Sequence, residues 1–278
     1  MRLLLITFPA IAALFLIRTS AWAVDPPSVA WWRMEARQGN QIPDLSGNGH
    51  TLTVQGAPSF QGNAVVFNDD GCLIAQDSDQ LDLLGDWTVS FWVRLDDPNS
   101  PWVLKHRGFY DAEGGWAVSD NFKVVIYKEN FNNCDFRNLS AVGSWHHVTA
   151  TFDDTAGTVR IYVNGMLVFE DFLDSNGEGP CTVTANSYPL TIGGEWHQDG
   201  MACNPAARGA IVDVRIWDAT LLDTDVQEIY SQGMATVPAV STWGSLVMTL
   251  LVLAAGTVVL ERRRTHAVAH PAGGGRCA

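Results

Sequence analysis

Apolar and polar residues alternate with a period of two along much of this chain. The clearest case is DWTVSFWVRL, Asp86 to Leu95. There Trp87, Val89, Phe91 and Val93 share one face, and Thr88, Ser90, Trp92 and Arg94 share the other. β-Branched and aromatic residues at that period predict a strand with one face in a core. SVAWWRM, FKVVIYK, WHHVTATF, TVRIYVNG, MLVFEDF, YPLTIGG and AIVDVRIW repeat the signature between turn-forming residues. Only DTDVQEIYSQG, Asp223 to Gly233, reads as helix, with Asp223 as N-cap and Gly233 as stop. Many short strands that do not alternate with helices predict an all-β fold, an antiparallel two-sheet jelly-roll sandwich.

The two ends follow other patterns. Residues 1–23 open with Arg2, run apolar from Leu3 to Ile17 and end in AWA, the form of a secretory signal cut between Ala23 and Val24. Near the other end, Gly244 to Leu260 holds 17 residues without a charge. As a helix it would be about 26 Å long, close to the hydrocarbon thickness of a bilayer. Trp243 stands at one edge and Arg262, Arg263 and Arg264 at the other, as expected of one C-terminal transmembrane helix with its basic side in the cytoplasm. The expected organisation is a signal at 1–23, one domain at 24–237, a motif, membrane helix and Arg cluster at 238–264, and a short tail at 265–278.

Composition narrows the partners. Residues 24–237 carry 11 Lys and Arg against 29 Asp and Glu, a net charge of −18 with His neutral. That disfavours nucleic acid and anionic membrane surfaces. Cys72, Cys134, Cys181 and Cys203 are an even set in an exported domain, which suggests two disulfides. Three pairings are open. Cys181–Cys203 is favoured because both lie in loops rich in Gly, Pro and Asn, with Cys72–Cys134 by default. No C-x-x-C spacing occurs, so the cysteines do not suggest zinc.

WHHVTATFDDTAGTVRIYVNG, Trp145 to Gly165, crowds two histidines and two aspartates into a few residues. On a strand, Trp145, His147, Thr149 and Thr151 face one way and His146, Val148, Ala150 and Phe152 the other. Adjacent histidines therefore point apart and cannot chelate one ion. DDTAG and VNG read as turns, held by Asp side chains and by an Asn-Gly hairpin signal. Enzyme motifs are missing: EDFLD, Glu170 to Asp174, does not give the Glu-x-Asp-x-Glu face of jelly-roll glycanases, and no G-x-S-x-G, H-E-x-x-H or phosphate loop occurs. The chain is expected not to be an enzyme.

Six segments in order carry a resemblance. They are WWRMEARQGNQIPDLSGNGHTL, GNAVVFNDDGCLIAQDSDQLDL, DWTVSFWVRL, GSWHHVTATFDDTAGTVRIYVNGMLV, LTIGG and RGAIVDVRIWDATLLDTDVQEIYSQG, spanning about residues 28–233. The series resembles the LamG-like, concanavalin A-like jelly rolls, the group of laminin G-like modules, pentraxins and legume-lectin relatives. The resemblance implies a binding module that recognises carbohydrate or a surface protein. It also implies a structural calcium near DLSGNGH, with Asp44 and Asn48 as ligands and Asp213 from the last strand approaching. The alternative there is an Asx-turn loop, with Asp213 paired to Arg215. Aromatic residues amid Gly, Asp and Asn between Trp102 and Asn133, and again at Trp196, suggest sugar-stacking positions. Trp102, Tyr110 and Trp196 are the ligand candidates. VPAVSTWG, the apolar run and the Arg cluster resemble the IPTL-CTERM sorting signals related to PEP-CTERM. Val237 and Val240 depart from that pattern, and the chain continues past Arg264. This second resemblance implies a bacterial cell-envelope location and a membrane sorting peptidase as partner, with the anchor either retained or cut.

Overall fold

The computed structural model describes residues 28–97, 102–107, 114–119, 122–127, 133–136, 143–172, 181–196, 204–205 and 207–233. The signal segment with Ala23 and Val24, the apolar run 244–260 with its Arg cluster, and Tyr110 and Cys203 lie outside the described residues. So do the side chains of Trp102 and Cys134. Among the described residues no helix is long and apolar enough to cross a membrane.

In chain order the strands are β1 (Ala30–Trp32), β2 (Gln41–Ile42), β3 (Leu52–Gly56), β4 (Ser59–Gln61), β5 (Ala64–Asn68), β6 (Gly71–Ala75), β7 (Trp87–Leu95), β8 (Trp102–His106) and β9 (Gly115–Ser119). There follow β10 (Val124–Tyr127), β11 (Asn133–Phe136), β12 (Trp145–Asp153), β13 (Thr158–Val163), β14 (Met166–Phe172), β15 (Leu190–Ile192), β16 (Gly194–Glu195), β17 (Asn204–Pro205) and β18 (Arg208–Trp217). Among the described residues one α-helix, α1, covers Asp223–Gly233, the span its pattern predicts.

Two antiparallel sheets make the sandwich. Sheet A runs β14-β13-β12-β7-β18-β5-β4, with β1 also on β18; sheet B runs β11-β10-β9-β8-β15-β6-β3-β2. β18 serves two partners on one side, since Arg208–Ile211 pair with β5 and Val214–Ile216 pair with β1. Its register against β7 shifts between Val212 and Arg215, where Asp213 has a φ of 49°. That bulge re-aims the strand halfway along.

The alternation places the core as expected. Trp87, Val89, Phe91 and Val93 face Val148, Ala150 and Phe152 inside one buried cluster with the inner residues of sheet B. Trp87 lies between Phe152 of its own sheet, at 5.6 Å between ring centres, and Trp116 of the other, at 5.8 Å. Trp116 donates its indole N–H to the Leu81 carbonyl at 2.9 Å, so it is a core residue and not a ligand platform. The expected hairpin turn between β13 and β14 is present: Asn164 and Gly165 both take positive φ, at 53° and 75°. The expected aspartate turn is present too, with Ala156 N–H donating to Asp153 at 2.7 Å.

Candidate functional site

The outer face of sheet A is closed by α1. Tyr230 packs on Trp92 and on His147, at 5.6 and 5.7 Å, and Val226 and Ile229 join Tyr162, Trp217 and Leu221 in a second apolar cluster. Beneath the helix a polar chain is buried. Thr149 donates to Ser90 at 3.2 Å, and Ser90 Oγ lies 2.8 Å from His147 Nε2. A serine bonded to a histidine is the start of a nucleophile–base pair. Here both residues are only 1% exposed, so no substrate reaches them. The nearby Asp213 does not orient the imidazole through a hydrogen bond. It takes two bonds from Arg215, at 3.1 and 2.9 Å, and one from Trp31 Nε1 at 2.7 Å, while Arg215 stacks on the Trp31 ring. The network is structural.

Burial has a titration consequence. Desolvation pushes the His147 imidazole down from 6.5 to about 3, with Asp213 and Arg215 acting in opposite senses. The unfolded chain therefore binds a proton from about pH 6.5 downward while the folded chain does not. This contribution to stability is full above pH 6.5 and is lost as pH falls from there toward 3. Urea unfolding at pH 7, 6, 5 and 4 is expected to show it. His147→Gln, which keeps an acceptor for Ser90, should flatten that slope by up to about 1.4 kcal/mol per pH unit. An unchanged slope in the variant would refute the assignment.

The DLSGNGH loop is organised by Asp44. Its Oδ1 accepts the Trp31 and Ser46 N–H groups at 3.0 and 2.9 Å, and its Oδ2 accepts Ser46 Oγ–H and His50 N–H at 2.8 and 3.0 Å. Burial alone would raise this carboxyl. The backbone and hydroxyl donors outweigh it and hold the group below its usual range. Asn48 donates to the carbonyls of Ser28 and Val29. Every one of these contacts belongs to an Asx-turn loop, and Asp213 is paired to Arg215. Among the described residues, the group of three His or carboxylate side chains whose ligand atoms converge is a different one, Asp77, Asp82 and His106.

Sheet B carries a second polar cluster, and it too is buried, with Lys105, Glu195 and Arg107 no more than 6% exposed. By register, Lys105, Ala117, Val125 and Thr191 share its outer face. Lys105 Nζ donates to Glu195 at 2.5 Å and lies over the Tyr127 ring, on which Arg107 also stacks at 4.0 Å. Desolvation lowers the Lys105 pKa, and Glu195 only partly restores it. Thr191 Oγ1 donates to the Gly194 carbonyl at 2.8 Å and lies 3.1 Å from the Lys105 carbonyl. Trp196 follows Glu195 directly and is half-buried. Of the three predicted ligand residues, Trp196 alone has a described side chain. The cluster itself escapes sequence reading; its only signal is the charged KHR at the end of the apolar VL of β8. Cys72 and Cys181 are both disulfide-bonded.

A two-sheet antiparallel jelly roll with charged and aromatic side chains gathered on one sheet is a concanavalin A-like sandwich. Residues 67–227 match the model of the laminin G type in the Concanavalin A-like lectin/glucanases superfamily, and the chain belongs to that family. It is 27% identical over 152 residues to the Sushi, von Willebrand factor type A, EGF and pentraxin domain-containing protein 1 of Rattus norvegicus, covering 52% of this chain and 4% of that protein. The chain thus spans a small part of that relative's length. Among solved structures it is similar to the binding domain of botulinum neurotoxin DC in complex with rat synaptotagmin II, with a TM-score of 0.56 and 17% identity over 76% of this chain and 52% of the other. It is also similar to domain 4 of a GH43 extracellular arabinanase from Geobacillus stearothermophilus in complex with arabinotriose, with a TM-score of 0.54 and 20% identity over 73% and 98%. At these identities the likeness concerns the fold.

Proposed function

We propose that the chain is an exported cell-surface binding module that recognises carbohydrate. Residues 1–23 direct export, and residues 244–260 hold the domain at a bacterial envelope until a sorting peptidase acts. The observation that carries the binding role is the half-buried indole of Trp196 in a fold whose solved relatives include a domain bound to arabinotriose. An indole face suits a sugar ring. A surface protein is the second reading. It is favoured by the edge strand β14, which exposes Met166, Leu167, Val168 and Phe172.

The test is a glycan panel on the full-length chain, with calcium or with EDTA. Binding of at least one glycan class is expected, and Trp196→Ala should weaken it roughly tenfold, or about 1.4 kcal/mol, without lowering the thermal midpoint. Calcium dependence would support the Asp44, Asn48 and Asp213 expectation; independence would retire it. Binding to no glycan overturns the carbohydrate reading, and release of reducing ends from polysaccharide overturns the non-enzymatic one.

A further inference from the structure

We propose that the tip of the β13–β14 hairpin, Met166, Leu167 and Val168, docks into a lipid bilayer, at the end of the domain from which the chain leaves toward residues 244–260. The inference rests on the reading of that segment as a membrane helix. Met166 is 67% exposed, Leu167 45% and Val168 44%. Three consecutive exposed apolar side chains mark a surface with a partner. They directly follow the Asn164–Gly165 turn, so they stand at an end of the sandwich.

The path of α1 identifies that end as the one nearest the anchor. Ahead of the helix, Thr220 Oγ1 donates to the Phe152 carbonyl at 2.7 Å, near the last residues of β12. The helix then runs back along the sheet. Its Asp223 accepts the Tyr162 hydroxyl at 2.6 Å, and its Tyr230 packs on His147, near the first residues of β12. A Cβ at Gly165 would lie 3.0 Å from the Tyr230 ring, and Gly233 itself packs against the Trp92 indole. The His147 carbonyl in turn accepts the Asn164 N–H at 2.8 Å. The last turn of α1 and the hairpin tip are therefore neighbours.

The covalent path from there is short. Ten residues separate Gly233 from Gly244, so the chain between them reaches at most about 40 Å. A short tether holds linked groups at an effective concentration on the order of millimolar, at which even a weak apolar contact is populated.

The chemistry of the tip suits lipid and bounds its depth. No charged residue occurs from Tyr162 to Phe169. Glu170, paired with Arg160, and Asp171 follow and stay in water. Three residues of strand span about 10 Å, the depth to which interfacial segments bury their apolar side chains. Trp145, half-buried under Arg94, lies at the same end of β12 as His147, where an indole meets the headgroups. The net charge of −18 over residues 24–237 directs the tip to neutral lipid, with acyl chains and not headgroup charge as the attraction.

The full-length chain should be reconstituted in phosphatidylcholine liposomes that carry a phosphatidylcholine with a shallow aryl diazirine, irradiated, and its lipid adducts mapped by mass spectrometry. Adducts are expected at Met166–Val168 as well as within 244–260. Phe172, at the other end of β14, and Leu222, ahead of α1, are equally exposed and should be labelled roughly tenfold less, because docking fixes which end faces the lipid. Met166→Ser combined with Leu167→Ser should keep the thermal midpoint and the labelling of 244–260 while removing most adducts at the tip. Adducts on 244–260 with none at the tip would overturn the proposal and leave the anchor standing. Adducts on neither would overturn both. Tip adducts without any on 244–260 would support the docking and retire the anchor. Equal labelling of the tip, Phe172 and Leu222, or protein–protein crosslinks at the tip in place of lipid adducts, would also overturn the proposal.

Discussion

Replacing Trp87 by alanine is expected to destabilise the domain by about 5 kcal/mol, the upper end for loss of a buried indole. The ring is fully buried and bridges the layers, stacked on Phe152 in sheet A and leaning on Trp116 in sheet B. The cavity left behind has strands on both sides and cannot collapse without moving a sheet. Trp116 is further anchored through its bond to Leu81, so it cannot swing to fill the space. Trp87→Phe should recover part of the loss. Urea unfolding followed by circular dichroism measures both variants. A loss below about 2 kcal/mol in Trp87→Ala would mean that the layers are not coupled through this ring. Trp145, the tryptophan the sequence places on the next strand, is only half-buried at the rim under Arg94, and a smaller loss belongs there.

Asp44→Ala carries the second large effect, about 3–4 kcal/mol. The carboxylate satisfies three backbone N–H groups and one hydroxyl, and hydrogen bonds to a charged group contribute about 1.5–3 kcal/mol each without adding fully. Its loss frees the loop that brings the His50 carbonyl to the indole of Trp32, where Nε1 donates at 2.5 Å. Asp44→Asn should cost less, since the amide oxygen can still serve two donors. The folded carboxyl sits below its unfolded range, so its share of stability is present at neutral pH and is lost as pH falls through the folded value. Acid unfolding of Asp44→Asn should therefore lack that step. A midpoint for Asp44→Ala within 0.5 kcal/mol of the parent would show that water replaces the carboxylate.

The strands, their faces and the helix were legible because period-two alternation is local. Trp87, Val89, Phe91 and Val93 face the core as the pattern requires. Asn164–Gly165 and the Asp153 turn were legible for the same reason. Alternation says which side chains share a face and not what covers it. Ser90, Thr149 and His147 read as a polar face, yet they are buried because α1, far along the chain, folds over them. The His106 cluster was hidden differently. Asp77 and Asp82 lie after β6 and His106 ends β8, and only the pairing of both strands with β15 brings the two segments together. Lys105 and Glu195 meet across the same strand order. A single sequence carries no local mark of such meetings.

The two-partner strand β18 bears on how the chain acquires its fold. It is the last strand among the described residues, and it lies at the middle of sheet A between β7 on one side and β5 with β1 on the other. Until it is in place, three earlier strands have open edges and the first strand has no neighbour. Closing contacts between the beginning and the end of a chain carries a large entropic cost before any reward, and domains of this kind fold in milliseconds to seconds. Sheet A cannot close before residue 217 is available, so its two halves stay unjoined for as long as β18 is withheld. Fragments that end ahead of β18 should behave as unfolded chain with aggregation-prone edges, and assembly should proceed as one late, cooperative event.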